Sequence, residues 1–263
     1  MLVVRSLAFN LLFYVLTAVV AIVGLPVLVS QRATHRYARN WGRLSLWLLR
    51  VVAGTQVEFR GMENIPPGPI VIAAKHQSTL ETVALTVAFD RFTYVLKREL
   101  MWIPLFGWYL GRAGMVPIDR SQGSRTMTAL NEAAARAIRE GRQLIIFPEG
   151  TRRPAGAPAA YKQGLSHLYV MLGVPCLPVA LNTGLYWRRH GFRRMPGKAV
   201  IEMLPAIPHG LERLGFLAEV ENRIETASDA LLAQGHAELA ARGLPLPASP
   251  APSAPTRESS GVI

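Results

Sequence analysis

Cysteine, lysine and acidic side chains are the scarce residues of this chain. A single cysteine, Cys176, stands among 263 residues, so no intramolecular disulfide can form. Its place in the apolar run Val174-Pro175-Cys176-Leu177-Pro178-Val179 marks a small buried core residue rather than a nucleophile. Clustered Cys/His spacings and the His-Glu-x-x-His pattern are missing, so no metal site is expected. No internal repeat is present. Only Lys75, Lys97, Lys162 and Lys198 are lysines, and arginine carries nearly all of the positive charge. With the abundance of alanine, this points to a GC-rich bacterial genome.

What is present is a basic excess: 29 Lys+Arg against 17 Asp+Glu, a formal net charge of +12. Such a charge calls for a polyanionic partner, either nucleic acid or anionic lipid. The position of the arginines chooses between them. Arg32, Arg36, Arg39, Arg43 and Arg50 directly follow an uncharged segment from Ser6 to Ser30, the pattern of juxtamembrane basic residues. Anionic membrane lipids are therefore the expected partner, and nucleic acid is not.

From Leu7 to Val29 the chain carries no charge, and about 23 residues at about 1.5 Å each reach roughly 35 Å, enough to cross a hydrocarbon core. The basic stretch on its C-terminal side argues against a cleaved signal peptide. Pro26, behind Gly24, predicts a kink or an end. Trp41 to Val52, broken by Arg43 and Arg50, reads as an amphipathic interfacial helix. The arginine excess places the rest of the chain on the cytoplasmic side of a bacterial inner membrane, with a full crossing and a one-leaflet hairpin both open. Residues 1–54 are thus expected to form a membrane anchor, 55–243 an α/β domain, and 244–263 a disordered Pro/Ala/Ser-rich tail too poor in bulky apolar residues to pack.

Within the domain, Ile70 to Ala74, Thr93 to Leu96, Leu144 to Phe147, Cys176 to Leu181 and Ala199 to Leu204 read as strands. Ser124 to Glu140 reads as a helix with Met127, Leu130, Ala134, Ala137 and Ile138 on one face and a stop at Gly141. Alternation of this kind predicts a mostly parallel sheet flanked by helices, with functional groups on loops at the strand ends.

The segment Lys75-His76-Gln77-Ser78-Thr79-Leu80-Glu81 comes directly after the first of these strands. A histidine whose second ring nitrogen is held by a carboxylate is an oriented general base near neutral pH. Five residues of regular helix would rotate Glu81 away from His76, so the pair requires His76 in a turn before a helix. Three further blocks lie downstream: Gly114-Met115-Val116-Pro117-Ile118-Asp119-Arg120, Phe147-Pro148-Glu149-Gly150-Thr151-Arg152 and the Val174 to Val179 run. In their order and spacing the four blocks resemble the glycerolipid acyltransferase family, most closely its bacterial 1-acylglycerol-3-phosphate acyltransferases, over about Phe59 to Pro208. One departure is that Glu81 stands where the family usually has aspartate.

The resemblance implies a reaction and a site. His76 and Glu81 would be the catalytic pair. Lys97, Arg120, Glu149, Gly150, Thr151 and Arg152 would bind the glycerol phosphate, and a planar guanidinium is suited to gripping a phosphate through two parallel hydrogen bonds. Glu149 could equally pair with Arg152, and Gly150 could serve backbone geometry. Pro175 and Pro178 would border the acyl chain, unless they are ordinary strand-edge prolines. No cofactor is implied; the acyl donor would be acyl-CoA or acyl carrier protein, and the acceptor a lysophospholipid. Glu81 leaves another acceptor, such as a lyso-ornithine lipid, open. The readings from other classes are an inactive membrane-binding scaffold and, on charge alone, a nucleic-acid binder. His35, His167, His190, His209 and His236 read as surface or packing residues, and Arg188, Arg189, Arg193 and Arg194 around Trp187 and Phe192 as a headgroup-binding cluster.

Overall fold

A computed structural model describes residues 1–119 and 124–246. Arg120 and residues 247–263, most of the expected tail, lie outside the described residues. Along the chain run α1 (Leu2–Val23), α2 (Gln31–Leu48), β1 (Thr55–Arg60), β2 (Ile70–Ala74), α3 (Leu80–Ala88), β3 (Phe92–Lys97), α4 (Phe106–Arg112) and β4 (Val116–Ile118). Then come α5 (Ser124–Arg139), β5 (Gln143–Ile146), α6 (Gly164–Leu172), β6 (Cys176–Leu181), α7 (Thr183–Tyr186), β7 (Gly197–Met203) and α8 (Arg213–Ala241).

The strands form one sheet in the order β1-β7-β6-β2-β5-β3-β4. Every neighbouring pair is parallel except β6 with β7, which matches the mostly parallel sheet predicted. β2 lies in its middle and is buried along its whole length. Side chains alternate across a strand, so Ile70, Ile72 and Ala74 enter the core under α3, with Ala84, Leu85 and Phe89. Val71 and Ala73 enter the opposite core, with Leu130 of α5, Leu165 of α6 and Phe216 and Val220 of α8. A strand covered on both faces must be apolar throughout, and Ile70-Val71-Ile72-Ala73-Ala74 is.

Pro178 sits in this interior sheet without orphaning a partner. The β6–β7 register shifts by one residue between the Cys176↔Ile207 bridge and the Val179↔Met203 pair, the extra residue falling within 204–206, so Pro178 lies opposite a bulge and only its carbonyl is used, by the Leu204 N–H at 2.9 Å. The strand-edge reading of Pro178 is replaced by this bulge.

The N-terminal elements differ from expectation in extent and in partnership. α1 begins at Leu2 and ends at Val23, before Pro26. It is long and apolar enough to cross a membrane, and this supports membrane association. Its one charge, Arg5, turns back to the Val52 carbonyl at 2.7 Å. α2 starts ten residues before Trp41, capped by Ser30, and is half embedded in the domain. His35 is buried, stacks on Phe92 at 4.8 Å and meets the Ala113 carbonyl at 2.9 Å. At Gly42 a Cβ would stand 2.7 Å from Val87 Cγ2, so only glycine allows α2 to approach α3 this closely.

α1 and α2 form an antiparallel hairpin, tied by Trp41 Nε1–H to Thr17 Oγ1 at 3.1 Å and by Tyr37 O–H to the Val20 carbonyl at 2.8 Å. Phe9 and Phe13 each meet the Trp187 ring edge-on at 5.3 Å. Phe9, Phe13, Leu49 and Ala53 of residues 1–54 therefore share a core with the domain. α8, at 29 residues, was not predicted from the sequence; it lies along β6 with Phe216, Val220, Ile224 and Leu231 buried.

Candidate active site

His76 lies in the turn between β2 and α3, as the pairing with Glu81 requires. Glu81 opens α3 and is fully buried. Its Oε1 accepts from His76 Nδ1 at 2.9 Å and from the backbone N–H groups of Gln77 at 2.8 Å and Ser78 at 2.6 Å. Its Oε2 accepts from the Thr183 hydroxyl at 2.6 Å. The turn wraps the carboxylate, and the extra methylene of glutamate is absorbed by this local cradle. With both oxygens engaged as acceptors, Nδ1 of His76 is the donor in this contact. The imidazole is stacked on Phe147, 3.8 Å between centroids and 16° between planes, which fixes its tilt.

A second set of contacts holds the His76 backbone. Its N–H donates to Glu149 Oε2 at 3.0 Å, and its carbonyl accepts the Arg153 N–H at 2.8 Å. Glu149 is buried, and burial raises its carboxyl above the ordinary range against the opposing pull of Lys75 and the His76 N–H. Its nearest cations are Lys75 at 3.6 Å and Arg153 at 3.9 Å, so the expected ion pair with Arg152 is replaced by these two. Lys75, 2 % exposed, grips both carboxylate oxygens of Glu225 on α8 at 2.6 and 2.7 Å, and the Tyr161 hydroxyl donates to the same carboxylate at 2.9 Å. The turn carrying His76 is thus fastened to α8.

His76 lies at one wall of a cavity of about 590 Å³. Lys97, Gly150, Thr151 and Arg152 line it too, as do Lys162, which the sequence did not single out, and Arg189, expected instead in the headgroup-binding cluster. Arg189 donates to the Arg152 carbonyl at 2.8 Å, and neither Arg152 nor Lys162 forms a salt bridge among the described residues. The rest of the lining is largely apolar and includes Val20 and Ala21 of α1, Ala38 and Trp41 of α2, Leu110 of α4 and Leu168 of α6. An anionic head with a long apolar tail suits such a space.

The other expected site residues fall elsewhere. Glu149 is absent from the cavity wall and acts from behind His76; Pro175 and Pro178 do not line the cavity either. Arg120 lies outside the described residues. In the basic-aromatic cluster, Arg194 is buried and stacks on Trp187 at 4.3 Å, with burial pushing it down to about 10; it is a core residue and not a headgroup contact. Arg188, Arg189 and Arg193 remain exposed. Burial pushes the Cys176 thiol up to about 12, in keeping with a structural role. Thr183 and Lys75 were not legible as site residues: Thr183 is 102 positions from Glu81, and only the fold brings them together.

The Acyltransferase family profile matches residues 56–182. The 1-acyl-sn-glycerol-3-phosphate acyltransferase of Pseudomonas aeruginosa is 39% identical over 223 residues, covering 82% of this chain and 87% of that protein. The 1-acyl-sn-glycerol-3-phosphate acyltransferase alpha of Mus musculus is 31% identical over 193 residues, 71% of this chain and 67% of the mouse protein. The crystal structure of the 1-acyl-sn-glycerophosphate (LPA) acyltransferase PlsC from Thermotoga maritima superposes with a TM-score of 0.72 at 24% identity, over 88% of this chain and 98% of that one. The fold is therefore shared with that structure, and by its sequence the chain belongs to the acyltransferase family.

Proposed function

We propose that the chain is a 1-acylglycerol-3-phosphate acyltransferase, moving a fatty acyl group from a thioester donor to the free hydroxyl of 1-acylglycerol 3-phosphate and yielding phosphatidic acid for phospholipid synthesis. The observation that carries the mechanism is the His76–Glu81 contact at 2.9 Å at the wall of a cavity lined by several cations and by many apolar side chains. Nε2 of His76 takes the proton of the acceptor hydroxyl as its oxygen attacks the thioester carbonyl. Glu81 holds the Nδ1–H tautomer and stabilises the imidazolium that forms. The tetrahedral intermediate collapses with cleavage of the C–S bond, and the imidazolium returns the proton to the departing thiolate. No acyl-enzyme and no cofactor is needed.

Lys97, Arg152 and Arg120 grip the acceptor phosphate, with Gly150 and Thr151 shaping the loop beside it. The donor is acyl-CoA or acyl carrier protein, whose anionic surfaces suit the exposed Arg188, Arg189 and Arg193. The hairpin of α1 and α2 returns to the side it started from and sits in the cytoplasmic leaflet of the inner membrane, with its exposed arginines among anionic headgroups. Offering the purified chain a single acyl donor with 1-acylglycerol 3-phosphate, lysophosphatidylglycerol and lyso-ornithine lipid in parallel tests the acceptor. Phosphatidic acid should dominate; no turnover of 1-acylglycerol 3-phosphate while another lyso-lipid reacts would replace the assignment.

A further inference from the structure

Between β3 and β4 the chain makes a helical turn, Arg98–Trp102, and the short helix α4. This connection exposes large apolar side chains: Trp102 at 69%, Trp108 at 58%, Ile103 at 45% and Phe106 at 41%. It is held rigidly, since Leu105 adopts φ +63 and ψ −57, rarely populated by a residue with a side chain, and a Cβ on Gly107 would overlap the Met101 carbonyl. Such a turn persists only where its surroundings fix it, so these side chains are presented at one place.

Its surroundings are the tip of the α1–α2 hairpin. The Tyr109 hydroxyl donates to the Ala21 carbonyl at 2.9 Å, Tyr109 and Tyr37 stack at 6.3 Å, and the Arg112 guanidinium donates to the Val29 carbonyl. Val29 is itself exposed, as are Val19, Ile22 and Val23 on α1. The apolar surface of α1 thus continues across the tip onto the α4 connection.

We propose that the Arg98–Arg112 connection is a second membrane-seated element, placed in the headgroup and upper acyl region of the same leaflet as the hairpin. The proposal rests on the membrane reading of α1. Three observations name a lipid surface as the occupant. The patch is continuous with a helix apolar enough to cross a membrane, and a contiguous apolar patch of this kind marks an interaction site. It pairs two tryptophans with Arg98 and Arg112 at its ends, the composition of a membrane interface. The cavity lies between the two elements, walled by Val20, Ala21 and Tyr37 on one side and by Leu100, Phe106 and Tyr109 on the other. Seating both elements in lipid opens that space toward the acyl chains, so a lyso-lipid travels to His76 without leaving the bilayer.

Single cysteines at Val19 and Ile103, each carrying an environment-sensitive nitrobenzoxadiazole probe, test this on the full chain in vesicles of phosphatidylethanolamine and phosphatidylglycerol; buried Cys176 stays unlabelled. Both probes should emit as in an apolar medium and be quenched by spin-labelled lipid, the probe at 103 most strongly by a label near the headgroup. An immersed probe at 19 with a water-like probe at 103 overturns the second element alone, whereas water-like probes at both positions overturn the membrane reading itself. A probe at 103 that is shielded yet not quenched by lipid assigns the patch to a second copy of the chain and also overturns the proposal. In parallel, the Trp102→Ser, Trp108→Ser double variant, neither residue lining the cavity, should lose about tenfold in activity on acceptor presented in vesicles, with full activity on a short-chain acceptor in free solution. Equal activity of variant and wild type on both acceptors, or equal loss on both, contradicts it.

Discussion

The Glu81 carboxylate that holds His76 is itself held from two directions. Oε1 keeps His76, while Oε2 accepts from the hydroxyl of Thr183, at the start of α7 just past β6, 2.6 Å away. Thr183→Val keeps the shape and leaves Oε2 buried with a lost charge-assisted bond, worth about 1.5–3 kcal/mol. The expected outcome is a fall in kcat of about tenfold or more with little change in acceptor KM, restored by Thr183→Ser; failure of serine to rescue would show that the hydroxyl is not what matters. Glu81→Gln can keep acceptor bonds through its amide oxygen but removes the charge that stabilises the imidazolium, so kcat should drop by about 10²-fold or more, and Glu81→Asp should do much less harm. Equal and severe losses would assign Glu81 to geometry instead of charge. His76 and Glu81 were legible because both lie within one short turn behind an apolar run. Thr183 was not, because a contact across 102 positions leaves no local pattern.

Among the elements, β2 and β6 were readable because each is buried on both faces and must be apolar end to end. α5 was readable because its apolar residues recur at helical spacing. α8 escaped because the middle of its buried face is polar or small: Ser228 and Gly235 occupy positions where an apolar stripe would continue. Yet α8 supplies Glu225, the partner of buried Lys75, one residue from His76. Lys75→Met would strand Glu225 without its cation and leave Glu149 with Arg153 alone, and breaking a buried pair in this way costs about 3–5 kcal/mol; a lowered denaturation midpoint in chemical unfolding checks it, and an unchanged midpoint would detach α8 from the stability of the site. Cys176, its thiol held near 12 by burial, should resist alkylation at pH 8 in the folded chain and react promptly once denaturant unfolds it.

At the scale of the whole molecule, the sequence separates an anchor from an enzyme, whereas the structure joins them. Phe9 and Phe13 belong to the same core as Trp187 and Leu239, and α1 and α2 form part of the cavity wall. Hydropathy made the anchor visible, but which of its residues face lipid and which face the domain depends on packing that no local window contains. The net charge of +12 is likewise divided: Arg39 pairs with Asp90 and Arg194 is buried, while Arg188, Arg189 and Arg193 stay outside. Removing residues 1–54 should therefore leave an unstable domain instead of a soluble enzyme, visible as loss of a cooperative unfolding transition; a truncated chain that unfolds cooperatively and turns over soluble substrate would contradict this. In the proposed mechanism, catalysis turns on His76 as the base that activates the acceptor hydroxyl. Phosphatidic acid formed from acyl thioester and 1-acylglycerol 3-phosphate by wild-type and His76→Ala protein, matched for folding by circular dichroism, tests it most directly. A loss of at least about 10²-fold in kcat is expected, and a His76→Ala protein that turns over within a few-fold of wild type would contradict it.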